Sequence, residues 1–367
     1  MDINQRLRQK LDQRIEDGTI RTLNSTLDGI DFWSNDYLGS AKKSISNSNL
    51  THGSTGSRLI SGNSLQIEKL EADLAHFFDA ESALLFNSGY DANVGLLSCL
   101  PQKNDVVLYD EHIHASVRDG IRLSLAKSYS FKHNSIEDLE KKIATTKPEI
   151  GALFVCVESL YSMGGDFCPL LDLIETCEKH GAHLILDEAH SGGLYGLNGE
   201  GFAVSLDLHQ RIFARLYTFG KAFGAHGAVV VGSDLLQQYL INFCRSLIYT
   251  TALSPAAVDA IRGNVFSEDS FERRTQLFHN CKMFHQLCQN LGIQTQSAIN
   301  SPIQMLKVGD VKQTVAIANK LQANGFMVKA VVSPTVKPGD EALRVCLHTY
   351  NLPDEFNSIL GLLSDSI

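Results

Sequence analysis

The sequence predicts an α/β protein: a large, mostly parallel sheet covered by helices, followed by a smaller α+β domain. Three observations lead there. Between Ser82 and Ser233, short unbroken apolar runs alternate with segments of helix length, the pattern of strands buried on both faces of a parallel sheet. Polar and glycine residues bunch just past the ends of those runs, where open α/β sheets bind ligands. Beyond Tyr249 the alternation stops and a long helical stretch precedes a few strands.

Taken in order, Ile3, Leu7, Leu11 and Ile15 recur every four residues among charges and predict an amphipathic helix. Gly29 to Gly39 reads as a short strand entering a turn. Residues 40–63 are rich in Ser, Asn, Gly and Thr, yet Arg58-Leu59-Ile60 within them favours an ordered binding loop over a disordered linker. Ile67, Leu70, Leu74, Phe77 and Phe78 mark a second amphipathic helix. Strands follow at 83–86, 105–109, 152–157, 183–186, 216–218 and 228–231. A helical stretch over 256–292, a strand at 303–308, a helix at 311–324 and strands near 327–332 and 343–347 complete the chain. The expected organisation is an N-terminal helix and strand segment (1–45), a large α/β domain (46–245) and a C-terminal α+β domain (246–367).

With 367 residues the chain is long enough for a sizeable core without disulfides or a structural metal. A net charge of −9 provides no global field for nucleic acid or an anionic membrane. No run approaches the ~18 apolar residues of a membrane span. Asp2, Asp12, Glu16 and Asp17 argue against a transit peptide. The eight cysteines are scattered without C-x-x-C, as expected of reduced thiols in a cytoplasmic protein.

Lys221 is the sharpest single feature, in Thr218-Phe219-Gly220-Lys221-Ala222-Phe223-Gly224 straight after an apolar strand. Most lysines are solvated, but glycines and apolar flanks around this one favour a desolvated amine, as Schiff-base lysines require. Asp187-Glu188-Ala189-His190 ends another strand. The same tetrapeptide occurs in helicases, which also need a G-x-x-x-x-G-K-[ST] phosphate loop that is missing here. A strand-end carboxylate could simply cap a turn, or it could hold a cationic ring nitrogen. Paired with a Schiff-base lysine, the second reading is the signature of a pyridoxal phosphate site. Asn87-Ser88-Gly89-Tyr90 joins a strand to a helix and supplies backbone N–H groups suited to a phosphate. His112 and His114 have a metal-like spacing without a recognisable ligand set around them, and a ring stacked on the cofactor suits His114 better.

With these residues assembled, the chain resembles the α-oxoamine synthases over nearly its whole length. The resemblance rests on Ser34-Asn35-Asp36-Tyr37-Leu38-Gly39, Gly53-Ser54-Thr55-Gly56-Ser57-Arg58 and Glu158-Ser159-Leu160-Tyr161-Ser162-Met163, with Asp187 to His190, Thr218 to Lys221 and Tyr249 to Pro255. It implies the fold-type I, aspartate aminotransferase-like architecture of pyridoxal phosphate (PLP) transferases, a homodimer with sites at its interface, and decarboxylative condensation of an amino acid with an acyl thioester. The compact N-terminal segment and Ser333 to Gly339 before Leu343-Arg344-Val345 point to the branch that joins alanine to a pimeloyl thioester. Sibling synthases using glycine or serine, or a non-catalytic partner subunit on the same fold, are the alternatives.

Position by position, the resemblance implies that Lys221 anchors the cofactor and acts as base. Asp187 would pair the ring nitrogen, His114 would stack, and His190 and Ser162 would bond the 3-hydroxyl side. Gly89, Tyr90 and Thr218 would hold the phosphate, with Thr250 or Thr251 of a partner subunit completing the cup. Arg344 and Asn35 would bind the amino acid carboxylate, and Arg21 and Thr335 the acyl substrate. Four places depart from the family pattern: Thr55 for a glycine, Gly164 for an acid, Glu200 for an arginine, and Tyr350-Asn351 for a small residue and a histidine. These departures bear on the path of the acyl substrate.

Overall fold

The computed structural model describes residues 2–17, 19–20, 23, 28–43, 50–333, 336–364 and 366. The strands in chain order are β1 (Ile30–Asp31), β2 (Ser82–Phe86), β3 (Val106–Asp110), β4 (Lys127–Phe131), β5 (Leu153–Glu158) and β6 (Ala182–Asp187). They continue with β7 (Ala214–Thr218), β8 (Ala228–Gly232), β9 (Ile303–Lys307), β10 (Phe326–Met327), β11 (Lys329–Val331) and β12 (Ala342–Cys346). Seven of them form one sheet in the order β2-β8-β7-β6-β5-β3-β4, in which β8 alone runs against the other six.

Alternation along each strand divides two cores. Leu84, Phe86, Val107, Phe154 and Ile185 pack on one face with Leu96, Val117 and Ile121. Val106, Leu108, Val155 and Leu184 face Leu139, Ile143 and Leu173 on the other. Both sets are buried, which is why these strands read as continuous apolar runs.

The edge strand β4 went unread in the sequence. Its segment Lys-Ser-Tyr-Ser-Phe exposes four of five residues, and only parallel pairing with β3 makes it a strand. The expected continuous helix over 256–292 is two helices, Pro255–Val265 and Ser270–Asn290. Polar contacts break it: Asp269 accepts from Ser267 Oγ (2.6 Å), Lys43 Nζ (2.5 Å) and Arg273 Nε (2.8 Å).

The second half builds a three-stranded antiparallel sheet, β11-β12-β9. The segment after the first helix joins it: β1 pairs in parallel with β10, and Phe32, Tyr37 and Leu38 belong to the core that holds Leu343, Val345 and Phe356. Asn35 is thereby delivered to β12. The helix Ile3–Glu16 forms as its periodicity predicts but buries none of its residues within the described chain. All eight cysteines are free thiols.

Candidate active site

Five strands of the large sheet, β2, β3, β5, β6 and β7, run the same way and release their chains at one edge. That edge brings together residues far apart in sequence. β2 leads into Ser88, whose Oγ accepts from Asp91 N at 3.1 Å and donates to Asp91 Oδ2 at 2.7 Å, starting the helix Gly89–Cys99. The first N–H groups of a helix have no intrahelical acceptor, so Gly89 and Tyr90 present donors suited to an anion. Thr218, at the end of β7, lies against Gly89, with its hydroxyl 3.5 Å from where a Cβ there would stand.

Lys221 sits in the turn between β7 and β8, closed by Gly224 N donating to Lys221 O at 2.8 Å. Gly224 has φ 59°, and a Cβ on it would come within 2.2 Å of Ala41 N, so this turn requires glycine. Burial lowers the Lys221 amine to about 8, against the pull of Asp187 and Glu158. Asp187, at the end of β6, is buried and accepts from Asn93 Nδ2 (2.8 Å) and Ala189 N (2.9 Å). The Asn93 amide also reaches Ser116 Oγ at 3.0 Å, and that hydroxyl lies 2.7 Å from His114 Nδ1. His114 caps the helix Ala115–Leu123. Partial desolvation holds its imidazole below the ordinary value, and the Lys221 charge adds to the effect.

His190 is buried and lies 2.7 Å from Tyr37 Oη. Burial, then Lys221 and Arg344, keep it neutral. Tyr37 donates to Asn35 Oδ1 at 3.1 Å, which also accepts from Arg344 Nη2 at 3.0 Å. Since the one phenolic proton goes to Asn35, His190 Nδ1–H donates to Tyr37, leaving its Nε2 lone pair for a ligand. Arg344 Nε donates to Ser162 O at 2.9 Å. Thus Asn35, Arg344, Ser162 and His190 form one connected wall.

Glu158, at the end of β5 and in register with Asp187, is buried, and its Oε1 has no hydrogen-bond partner. Burial and the neighbouring Asp187 push it up to about 8. Thr250 and Thr251 are held beside the Asn87–Gly89 turn of their own chain: Asn87 Nδ2 donates to Thr250 Oγ1 (3.1 Å) and Thr251 O (2.8 Å). Arg21 and Thr335 lie outside the described residues.

Sequence reasoning missed Asn93, Ser116, Tyr37 and Glu158 as members of this constellation. Asn93 carried a readable signal, a polar residue one helical turn past Gly89 on a face otherwise apolar. Tyr37 and Glu158 lay inside quoted motifs, but their partners come from distant segments.

The residues present fit pyridoxal phosphate. They combine a partly buried amine held below its ordinary value, a buried carboxylate, helix N-terminal donors and a neutral imidazole, with one carboxyl oxygen lacking a partner.

Known proteins agree with this geometry. The family model for aminotransferase class I and II matches residues 28–356. The 8-amino-7-oxononanoate synthase of Emericella nidulans is 39% identical, covering 85% of this chain and 80% of its own. A serine palmitoyltransferase from S. paucimobilis, solved with bound PLP, superposes with a TM-score of 0.87 at 26% identity, over 100% of this chain and 98% of its own. The 8-amino-7-oxononanoate synthase of Francisella tularensis gives 0.76 at 30% identity, over 92% and 97%. The chain accordingly belongs to the aminotransferase class I and II family, as a pyridoxal phosphate enzyme of its α-oxoamine synthase branch.

Proposed function

We propose that this enzyme condenses L-alanine with pimeloyl-CoA, or a pimeloyl carrier protein, to give 8-amino-7-oxononanoate, the free thiol and CO2, a step of biotin biosynthesis. The observation that carries the chemistry is the convergence at one sheet edge of Lys221 after β7, Asp187 at the end of β6 and the Ser88-capped helix start after β2. The relatives named 8-amino-7-oxononanoate synthase support the substrate.

Pyridoxal phosphate, when bound, supplies the electron sink that makes the amino acid α-carbon a nucleophile. Lys221 would anchor the cofactor, then take the α-proton on Nζ and return one after carboxylate loss. Asp187, oriented by Asn93, would pair the ring nitrogen. His114 would stack on the ring, and His190 and Ser162 would bond the 3-hydroxyl side. Gly89, Tyr90 and Thr218 would hold the phosphate. Asn35 and Arg344 bind the amino acid carboxylate, and Arg21 and Thr335 serve the acyl chain. A carbon–carbon bond forms to the thioester carbonyl as the thiolate leaves. The site is, in this reading, closed to water while the reacting atoms are aligned. In this reading the enzyme is a cytoplasmic homodimer, with Thr250 or Thr251 of one protomer at the phosphate of the other. Among the described residues no helix is long and apolar enough to cross a membrane.

A second reading, condensation of serine with a long acyl thioester, draws support from the serine palmitoyltransferase fold likeness. Steady-state turnover with alanine, glycine and serine, each against pimeloyl-, acetyl-, succinyl- and palmitoyl-CoA, separates the two. The proposal expects alanine with pimeloyl-CoA to give the highest kcat/KM. A preference for serine with palmitoyl-CoA overturns the substrate and leaves the chemistry.

A further inference from the structure

Outside the cleft, His133 occupies a position that the reaction does not use. Its Nδ1 lies 2.9 Å from Asp110 Oδ1 and its Nε2 lies 2.8 Å from Asp166 Oδ2. With a carboxylate at each ring nitrogen, both nitrogens carry hydrogens, so the ring is an imidazolium. It stacks on His112 with centroids 4.1 Å apart and meets the edge of Tyr161 at 4.5 Å.

Asp110 is the last residue of β3, where the loop to His114 begins, and Asp166 lies in the loop after β5. Asp110, fully buried, accepts from His112 N and Asn134 N, each at 2.8 Å, and so shapes the loop that leads to His114. Asp166 accepts from Asn134 Nδ2 at 2.8 Å, and its carbonyl accepts from Tyr161 N at 2.9 Å, closing the loop that holds Ser162. A Cβ on Gly164 would overlap Asp166 Oδ1, so any side chain there requires the Asp166 carboxylate to shift.

We propose that His133 is a positioning residue whose doubly paired imidazolium clamps the loop carrying His114 to the loop carrying Ser162, and so sets the spacing of the cleft. The consequence for the cofactor rests on the pyridoxal phosphate reading above; the clamp itself does not. Burial alone would push the His133 imidazole down, but Asp110 and Asp166 overcome it and raise it to about 9. The other groups facing it are His112 and Tyr161 by their rings and Glu111, whose Oε1 accepts from His133 N at 3.5 Å and pairs with Lys337 at 3.4 Å. The clamp is therefore closed at neutral pH and opens as pH rises through about 9.

The test uses the 367-residue chain, His133→Gln, and Asp166→Asn, whose carboxylate is partly exposed. Histidine NMR, with the His133 signal assigned by its loss in H133Q, reads the imidazole titration directly. The wild-type signal should titrate above the ordinary histidine range, with proton affinity about tenfold or more lower in D166N. In PLP-loaded protein, both variants should alter the circular dichroism of the bound cofactor and raise KM for the amino acid about tenfold, with kcat changed much less. A wild-type His133 that titrates like a free histidine overturns the clamp. So do variants with wild-type cofactor dichroism and wild-type KM. If H133Q fails to fold, D166N decides. If wild-type protein binds no PLP, the functional reading falls, and the histidine titration in wild type and D166N still judges the clamp.

Discussion

The Asn93 carboxamide donates to Asp187 Oδ2 at 2.8 Å while its second hydrogen reaches Ser116 Oγ at 3.0 Å. One buried amide thus orients the carboxylate under the cleft and, through Ser116, the imidazole of His114. Asn93→Leu keeps the volume, leaves Asp187 Oδ2 without its side-chain donor and leaves Ser116 Oγ with His114 alone. It should cost about 1–3 kcal/mol of stability. PLP affinity should fall by about tenfold if the amide fixes the carboxylate. Thermal unfolding and a cofactor titration measure the two effects; unchanged affinity would show that Asp187 needs no such support.

Lys221 is held near 8 by burial, so below that pH its ammonium form dominates in cofactor-free protein. The rate of Schiff-base formation with added pyridoxal phosphate should rise about tenfold per pH unit up to that value and then level off, because only the neutral amine attacks. Stopped-flow absorbance from pH 6 to 10 reads this. Lys221→Ala should show no such band and lose turnover by about 10^3-fold or more.

Glu158 carries its proton in the folded protein up to about 8, against an unfolded value of 4.5. The folded state therefore binds the extra proton between those values, and the associated stability, full below the lower one, is lost as pH rises through the upper. Glu158→Gln fixes the neutral form. Its Tm should match wild type at pH 5 and exceed it by about 3–5 °C at pH 9. Equal melting curves at both pH values would mean that Glu158 titrates as an ordinary carboxylate.

Thr55, where the family pattern has glycine, adopts φ 55°. A left-handed conformation costs a β-branched residue about 1–2 kcal/mol. Thr55→Gly removes that cost and gives back about 0.5–1 kcal/mol in unfolded-chain entropy. The net expectation is a gain of about 1 kcal/mol or less, seen as a Tm higher by about 2 °C. A lower Tm would show that contacts of the Thr55 side chain outweigh its backbone strain.

Most of the fold was legible because its information is local. Six strands of the parallel sheet appear as apolar runs within one or two residues of their observed ends, since burial on both faces leaves no room for polar residues. Lys221, Asp187, His190 and Gly89 were legible for the same reason: each sits at a strand end, where chain direction alone puts polar side chains on the binding edge. The edge strand β4 was hidden because both of its faces meet solvent over Lys127–Ser130, so the segment shows no apolar run. The break at Ser267–Asp269 was hidden because it depends on Lys43, contributed from the far end of the chain.

Residue type and spacing were enough to single out an amine, a carboxylate and a helix-start turn that meet at one sheet edge. They could not say that Asn93 would be the hinge between Asp187 and His114, that Tyr37 would fix the tautomer of His190, or that Asp166 would claim the space over Gly164. Hydrogen-bond partners are chosen by distance and angle in three dimensions. A buried polar group takes whichever partner the packing of distant segments delivers, and no local pattern encodes that choice.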